Sequence, residues 1–301
     1  MPAFSSTDSP VPAVVLAVAI ALTGCTPAPA PTADPPGTSP PAPAVTPVNT
    51  PLPPVIPADS VPPLDLRQSF TAVAEQIAGE VSVSVMSGSD VHTFGDAVTG
   101  PAWSTIKVPV AIAALRAAPV QAVDYLSAAI TRSDNAAAES LWSLLGTPTD
   151  AALAVTSVLH DAGDAETVIQ SERIRAGFAA FGQTDWPTPQ QAAFAWQLPC
   201  ISGSGEVIAE MQQISPDQQW GFAGDHGVAA KGGWGPAPDG SYLVRQLALL
   251  RGEAGSIGVA MAVTPGDGTF QSGVGALNQL ADWVDEHRQD FSWSDCTAGT
   301  Q

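Results

Sequence analysis

Basic residues are scarce in this sequence. Its 301 residues include 10 Lys and Arg against 29 Asp and Glu, which gives a formal net charge of -19. No local run of basic residues offsets this balance. Because a surface this acidic repels phosphate backbones, the composition excludes nucleic acid as a partner.

Lysine is the rarest basic residue type, since Lys107 and Lys231 are the only two in the chain and the other eight basic residues are arginines. An amine can lose its proton and act as a base, whereas a guanidinium effectively cannot. The two lysines are therefore the first candidates for chemistry.

Long apolar runs are also missing. The longest candidate, "AVVLAVAIAL" from Ala13 to Leu22, is too short to span a bilayer. It leads into "LTGC", which resembles the lipobox of bacterial lipoproteins. The resemblance implies that residues 1–25 are a signal peptide with lipobox and that Cys25 is lipidated, with the protein exported and anchored to the outer face of the cell membrane. Residues 1–11 depart from the pattern because they contain no Lys or Arg. The alternative is a buried apolar segment of the domain.

Cysteine is limited to three residues. If Cys25 carries lipid, Cys200 and Cys296 remain as an even pair in an exported protein, where disulfides persist. We expect a bridge between them, and the alternative is two separate buried thiols.

Proline, in contrast, is abundant in one segment. Fifteen of the 38 residues from Thr26 to Pro63 are proline, which is incompatible with a helix or a central strand. Such a segment is an extended, semi-rigid spacer. We therefore divide the chain into a signal peptide (1–25), a Pro-rich linker (26–63) and one folded domain (64–297).

The folded domain shows helical and strand periodicity in separate blocks. An apolar stripe from Leu66 to Ile77 predicts a helix, and "EVSVSVM" and "VHTF" predict two strands. Several helices follow, one of them capped by Thr149, and then a long loop from Asp164 to Asp185. Three late strands and a closing helix from Val274 to His287 complete the pattern. The order predicts an α+β fold with an antiparallel sheet, flanking terminal helices and an inserted all-α subdomain.

Three short motifs contain groups that could carry chemistry. Ser104 and Lys107 lie three residues apart at a predicted helix start and so share one face, which would place an amine near a hydroxyl. Ser133-Asp134-Asn135 lies between two helices, and Lys231-Gly232-Gly233 lies in a predicted strand where glycine lets a ligand approach the backbone. Taken singly, each has a plain structural explanation: a capping serine with a surface lysine, a helix boundary, and a strand bulge.

Taken together, the order Ser-x-x-Lys, Ser-Asp-Asn, Lys-x-Gly resembles the class A β-lactamases and penicillin-binding proteins, over most of Leu64 to Asp290. The resemblance implies Ser104 as the acylated nucleophile, Lys107 as its base and Ser133 as the proton relay to the leaving nitrogen. It implies that the substrate is bound by Asn135, Lys231, Gly233 and Trp234. The backbone N–H groups of Ser104 and Trp234 would then form the oxyanion hole.

The sequence departs from this family at three points. Gly232 replaces the usual Thr or Ser, so we expect Gly232→Thr to speed acylation. Glu172 is the candidate deacylating base, but "ERIRA" lacks the family's Leu and Asn. The spacing of 133 − 104 = 29 residues is short for the family, which indicates a reduced helical block.

Two functions follow from these observations. The first is a lipid-anchored serine hydrolase, acylated by β-lactams or D-alanyl peptides of the cell wall, with slow turnover. The second is a catalytically impaired lipoprotein of the same fold that acts in binding or scaffolding. We expect a monomer that uses no cofactor or metal ion.

Overall fold

The computed structural model describes residues 59–60, 62–96 and 98–296. The predicted signal peptide, Cys25 and most of the predicted linker lie outside these residues, so the inferences about them stay predictions. In the described part, no helix has both the length and the apolar character that crossing a bilayer requires.

Helices and strands alternate in blocks, as the sequence predicts. The helices are α1 (Leu64–Ala74), α2 (Lys107–Ala117), α3 (Pro119–Thr131), α4 (Asn135–Ser143), α5 (Pro148–Asp161), α6 (Thr188–Gln197), α7 (Gly205–Met211) and α8 (Phe270–Glu286). The strands are β1 (Asp59–Ser60), β2 (Gly79–Ser87), β3 (Asp90–Gly95), β4 (Ala229–Pro236), β5 (Tyr242–Gly252) and β6 (Gly255–Pro265).

One sheet joins the two ends of the domain. Its strand order is β1-β3-β2-β6-β5-β4, and every pair is antiparallel except β1 with β3. Because β2 pairs directly with β6, the whole helical block from α2 to α7 is an insertion between two halves of one sheet. The predicted α+β architecture is confirmed, and β4 is left as an edge strand beside the inserted block.

Both faces of the sheet are covered. The aliphatic side chains of β2 pack with α1 and α8 in one core cluster, which includes Val81, Phe70 and Leu280. The alternate residues Ser82 and Ser84 are also buried, and their hydroxyls hydrogen-bond to the hydroxyl of Thr188 at the start of α6. The alternating pattern of β2 therefore marks two different buried faces, one apolar and one hydrogen-bonded.

Helix α2 is the centre of the inserted block. Nine of its 11 residues are buried, and its apolar residues surround the helix rather than forming one stripe. The neighbouring helices α3, α4, α5 and α7 all contact it. This burial fixes the position of Lys107, the first residue of the helix.

Two helix starts differ from the sequence prediction. Helix α5 is capped by Thr147, which forms a capping box with Asp150, and not by Thr149. Helix α8 begins at Phe270, earlier than the expected Val274, because the Thr269 hydroxyl accepts a hydrogen bond from the backbone of Ser272.

The predicted disulfide between Cys200 and Cys296 is confirmed. It joins the segment that follows α6 to the segment that follows α8. Two further contacts hold the same C-terminal segment: the Trp196 indole N–H donates to the carbonyl of Ser294, and Ser294 forms a bridge with Ser256 in β6.

Candidate active site

Ser104 lies in a short 3-10 turn, Trp103–Ile106, that leads directly into α2. It is half-buried and lines a pocket of about 350 Å³ together with Lys107, Ser133 and Asn135. Its hydroxyl makes no hydrogen bond to a described residue, so it is free to contact a ligand. The residue before it, Trp103, has a φ of 51°, an unusual conformation for a bulky side chain.

Lys107 is almost fully buried at the inner side of this pocket. Its Nζ atom donates to the carbonyl oxygen of Ser133 (2.5 Å) and to Oδ1 of Asn135 (2.8 Å), with Oγ of Ser133 at 3.3 Å. Burial lowers the pKa of Lys107 to about 8, against an opposing effect of the nearby Asp134 carboxylate. The amine is therefore still mostly charged near pH 7 but becomes neutral above pH 8, well below the usual range for lysine.

Ser133 connects the two lysines of the chain. Lys231 is fully buried, and its Nζ donates to Oγ of Ser133 (2.9 Å) and to the carbonyl of Gly232 (2.9 Å). Burial, and then the charge of Lys107, hold the pKa of Lys231 well below its usual range. Ser133 itself has a φ of 54°, which is strained for a non-glycine residue. Because its Oγ accepts from both amines, its own hydrogen is directed elsewhere.

Strand β4 brings the third motif against the nucleophile. A Cβ atom on Gly233 would lie 2.8 Å from the backbone nitrogen of Ser104 and 2.9 Å from that of Thr105. Only glycine allows this approach, so β4 and the 3-10 turn are in direct backbone contact. The three motifs, far apart in sequence, therefore meet at one place.

Gly232 has a different role from the one that its position suggests. A Cβ atom on Gly232 would overlap the indole ring of Trp220, which is buried and packs edge-on against Trp234. The space that a Thr or Ser at this position requires is therefore occupied. This overlap argues against the expectation that Gly232→Thr speeds acylation.

The pocket has an aromatic wall. Its members are Trp103, Phe178, Phe181, Trp234 and Tyr242. Gly235 leaves room for the Trp103 ring, which lies where a side chain at position 235 would project. These rings would contact the apolar part of a ligand, while Ser104, Lys107 and Ser133 form the polar side.

The structure does not bring Glu172 to this pocket. Its side chain is exposed, it does not line the cavity, and its backbone N–H donates to the Gln170 side chain. The expected placement of Glu172 at the site is wrong, because the loop presents the next residue, Arg173, to the pocket instead.

Sequence reasoning missed Glu139 and Arg173. Both line the pocket and form an ion pair of 2.8 Å, with side-chain exposures of 35% and 59%. Glu139 follows Asn135 by four residues in α4, so the two share one helix face. That spacing is the signal that could have identified Glu139 from the sequence.

The long loop between α5 and α6, residues 162–187, closes one side of the pocket. The Arg175 guanidinium donates to the carbonyl of Pro236 at the end of β4 (2.6 Å) and lies 4.7 Å from the centre of the Phe178 ring. At the base of the loop, the Trp186 indole N–H donates to the carboxylate of Asp164 (3.1 Å). These contacts fix the loop at its base and at its far side.

Arg245 supports the segment that precedes Ser104. This fully buried guanidinium in β5 donates to the carbonyls of Gly100 (3.0 Å), Pro101 (2.9 Å) and Trp186 (2.8 Å). Burial lowers its pKa to about 10, an effect that the Asp185 carboxylate partly opposes. Arg245 therefore ties the start of the nucleophile turn to the end of the loop.

Comparison with known proteins identifies the fold. No family model and no curated protein sequence matches the chain. Solved structures do match. A class A β-lactamase from Mycobacterium abscessus aligns with a TM-score of 0.58 and 15% identity, covering 74% of this chain and 99% of that one. A β-lactamase from Burkholderia vietnamiensis aligns with a TM-score of 0.58 and 15% identity, covering 76% and 98%.

The last common ancestor of Gram-negative class A β-lactamases gives the same result, with a TM-score of 0.55, 18% identity, and coverage of 74% of this chain and 99% of that one. These alignments include nearly the whole of each matched structure. The chain therefore has the class A β-lactamase-like fold, as the three motifs predicted.

Proposed function

We propose that this protein is a serine hydrolase of the cell envelope, held to the outer face of the membrane by lipid on Cys25 and acylated on Ser104 by β-lactams or D-alanyl peptides. The observation that carries the proposal is the hydrogen-bonded group Lys107–Ser133–Lys231 beside the free hydroxyl of Ser104. Its fold is that of enzymes described as β-lactamases.

The proposed reaction follows from the contacts. The neutral form of Lys107 accepts the proton of Ser104, and Oγ of Ser104 attacks the carbonyl carbon of the substrate. The Ser133 hydroxyl, which accepts hydrogen bonds from both lysines, donates its proton to the leaving nitrogen as the C–N bond breaks. The contact between β4 and the Ser104 backbone supports an oxyanion hole at Ser104 and Trp234, where a lost donor costs about 2.7–4 kcal/mol of barrier.

Cationic groups in the pocket would attract an anionic acyl donor. Arg173, which is 59% exposed and pairs with Glu139, is the accessible one, whereas burial holds the pKa of Lys231 well below its usual range and so weakens the contribution of that amine. The aromatic wall would pack against the rest of the substrate.

Intact-mass analysis after incubation with a penicillin tests the proposal. We expect a mass increase of one penicillin per chain in the wild type and no increase in Ser104→Ala. A D-alanyl thioester serves as the second acyl donor. If neither compound labels Ser104, the chain is not an acyl-transfer enzyme for these substrates.

Two observations favour a second function, a binding or scaffolding protein of the cell envelope. Trp220 fills the space of the hydroxyl that the family places on β4, and Lys107 is not hydrogen-bonded to Ser104. Saturable binding of a D-alanyl peptide, with the same affinity in Ser104→Ala and no adduct in the wild type, would support this alternative.

A further inference from the structure

We infer that Glu139 is the general base that activates water to release the acyl group from Ser104. This inference rests on the proposed function, since it concerns the second half of the same reaction. It assigns to helix α4 the carboxylate that the sequence suggests for Glu172 in the loop.

The first support is position. Among the described residues that line the pocket, Glu139 carries the only carboxylate, and it shares this cavity with Ser104 and Lys107. Helix α4 supplies both Asn135, which holds Lys107, and Glu139 one turn later. The nucleophile and the carboxylate therefore face the same cavity.

The second support is the way the carboxylate is held. Oε1 of Glu139 accepts a hydrogen bond from Arg173 Nη2 at 2.8 Å, whereas Oε2 makes no hydrogen bond to a described residue. One oxygen thus fixes the group, and the other is available to accept a proton from water.

The proposed step is balanced as follows. Glu139 takes one proton from water, and the water oxygen forms a bond to the acyl carbon. When the tetrahedral intermediate collapses, the bond between this carbon and Oγ of Ser104 breaks. The proton held by Glu139 passes to Oγ of Ser104, which leaves a free carboxylic acid and a regenerated serine.

The experiment compares Glu139→Gln with Glu172→Gln, a matched substitution 33 residues later that lies outside the pocket. Each protein is acylated with a penicillin, freed of excess reagent and followed by intact mass. General bases contribute about 10²–10⁴-fold to such steps. We expect the adduct on Glu139→Gln to last about 10²-fold longer than on wild type, and the adduct on Glu172→Gln to match wild type.

Hydroxylamine separates water activation from a structural effect, because it attacks acyl esters without a general base. It should remove the acyl group from wild type and Glu139→Gln at equal rates. If thermal melting shows that Glu139→Gln folds poorly, Arg173→Gln provides the second variant. It keeps the carboxylate of Glu139 but removes the guanidinium that hydrogen-bonds to it. We expect a longer adduct lifetime in this variant too.

Three results would overturn the inference: equal adduct lifetimes in wild type and Glu139→Gln, a longer lifetime in Glu172→Gln alone, or a wild-type adduct that never hydrolyses. Absence of any adduct on wild-type Ser104 is a distinct result, visible before the variants are compared, and it removes the proposed function together with this inference.

Discussion

At the scale of single residues, burial without a carboxylate partner sets the chemistry of both lysines. Of the ion pairs within the described residues, none includes Lys107 or Lys231, and both amines donate instead to neutral oxygens. Neutral partners stabilise the charged form less than a carboxylate would, so desolvation dominates. The same burial that keeps these side chains in place therefore makes them bases.

This predicts a pH dependence for acylation. The native pKa of Lys107 is about 8 against an ordinary 10.5, so the amine is charged below pH 8 and neutral above it. The acylation rate of Ser104 should rise with pH and level off above pH 8, as an intact-mass time course at several pH values would show. Lys107→Met should abolish the rise. A wild-type rate that is flat across this range contradicts the assignment of Lys107 as the base.

The lowered pKa of Lys107 also makes the stability of the protein depend on pH. Between about pH 8 and 10.5 the unfolded chain binds more protons at Lys107 than the native chain does. The contribution of this residue to the free energy of unfolding therefore increases as pH rises through this window. Lys231 acts in the same direction.

Position 232 gives a second prediction at this scale. Gly232→Thr should lower the melting temperature, because an overpacked core costs about 1–3 kcal/mol, and it should not speed acylation. The penalty should be smaller in a Trp220→Leu background, where the indole is gone, and a double-mutant cycle measures the difference. Gly275→Thr is the control, since a Cβ at Gly275 meets no atom within 4 Å. Equal penalties in both backgrounds would contradict the steric explanation.

At the scale of secondary-structure elements, most of the fold could be predicted from periodicity. The strand β2 and the helix α1 follow directly from their apolar spacing. Helix caps were harder to predict. Thr147 and Thr149 both flank Pro148, and only the capping box with Asp150 shows that Thr147 is the cap. Local patterns locate elements well where one face is apolar, and less well where neighbouring polar residues compete for the same role.

The site could be predicted only in part, for a related reason. Five of the site residues belong to short motifs, and the order of these motifs along the chain identified them as candidates. They are Ser104, Lys107, Ser133, Asn135 and Lys231. Glu139, Arg173 and Trp220 reach the site through packing between distant elements, for which a single sequence has no periodic signal. The loop between α5 and α6 shows this most clearly, since Arg173 rather than Glu172 lines the pocket and pairs there with Glu139 of α4.

The disulfide is the covalent link between elements, and its removal should be costly. Cys200 and Cys296 close a loop with a sequence separation of 96 residues. Loss of a native disulfide typically costs about 2–5 kcal/mol, so Cys200→Ser with Cys296→Ser should lower the urea midpoint by a corresponding amount. Thiol titration of the unreduced, denatured Cys25→Ser chain is the complementary measurement. Two free thiols there would contradict the bridge.

At the scale of the whole molecule, the pocket presents cationic groups on a strongly acidic chain. The chain carries a formal charge of -19, whereas the charged groups of the described residues that line the pocket are Lys107, Arg173 and one carboxylate, that of Glu139. Under the proposed function, this contrast would favour an anionic ligand at the pocket over the rest of the surface, which repels it.

The proposed lipid anchor belongs to this scale too. Cys25→Ala should move the protein from the membrane fraction to the soluble fraction of the cells that produce it, because one modified residue would carry the attachment. Immunoblotting of the two fractions measures the change, with Ser104→Ala as a control that leaves the anchor and the disulfide intact. Unchanged retention in the membrane fraction would contradict the lipobox interpretation.

The burial of both lysines has a practical consequence for handling the native protein. Amine-reactive dyes and cross-linkers find no lysine on its surface, since Lys107 is 2% exposed and Lys231 is not exposed at all. A lysine-specific protease can cut only after these two residues, so cleavage requires the pocket to open. The disulfide would then keep the second and third fragments together until it is reduced. Digestion by one such enzyme thus becomes a direct measure of how often the site unfolds.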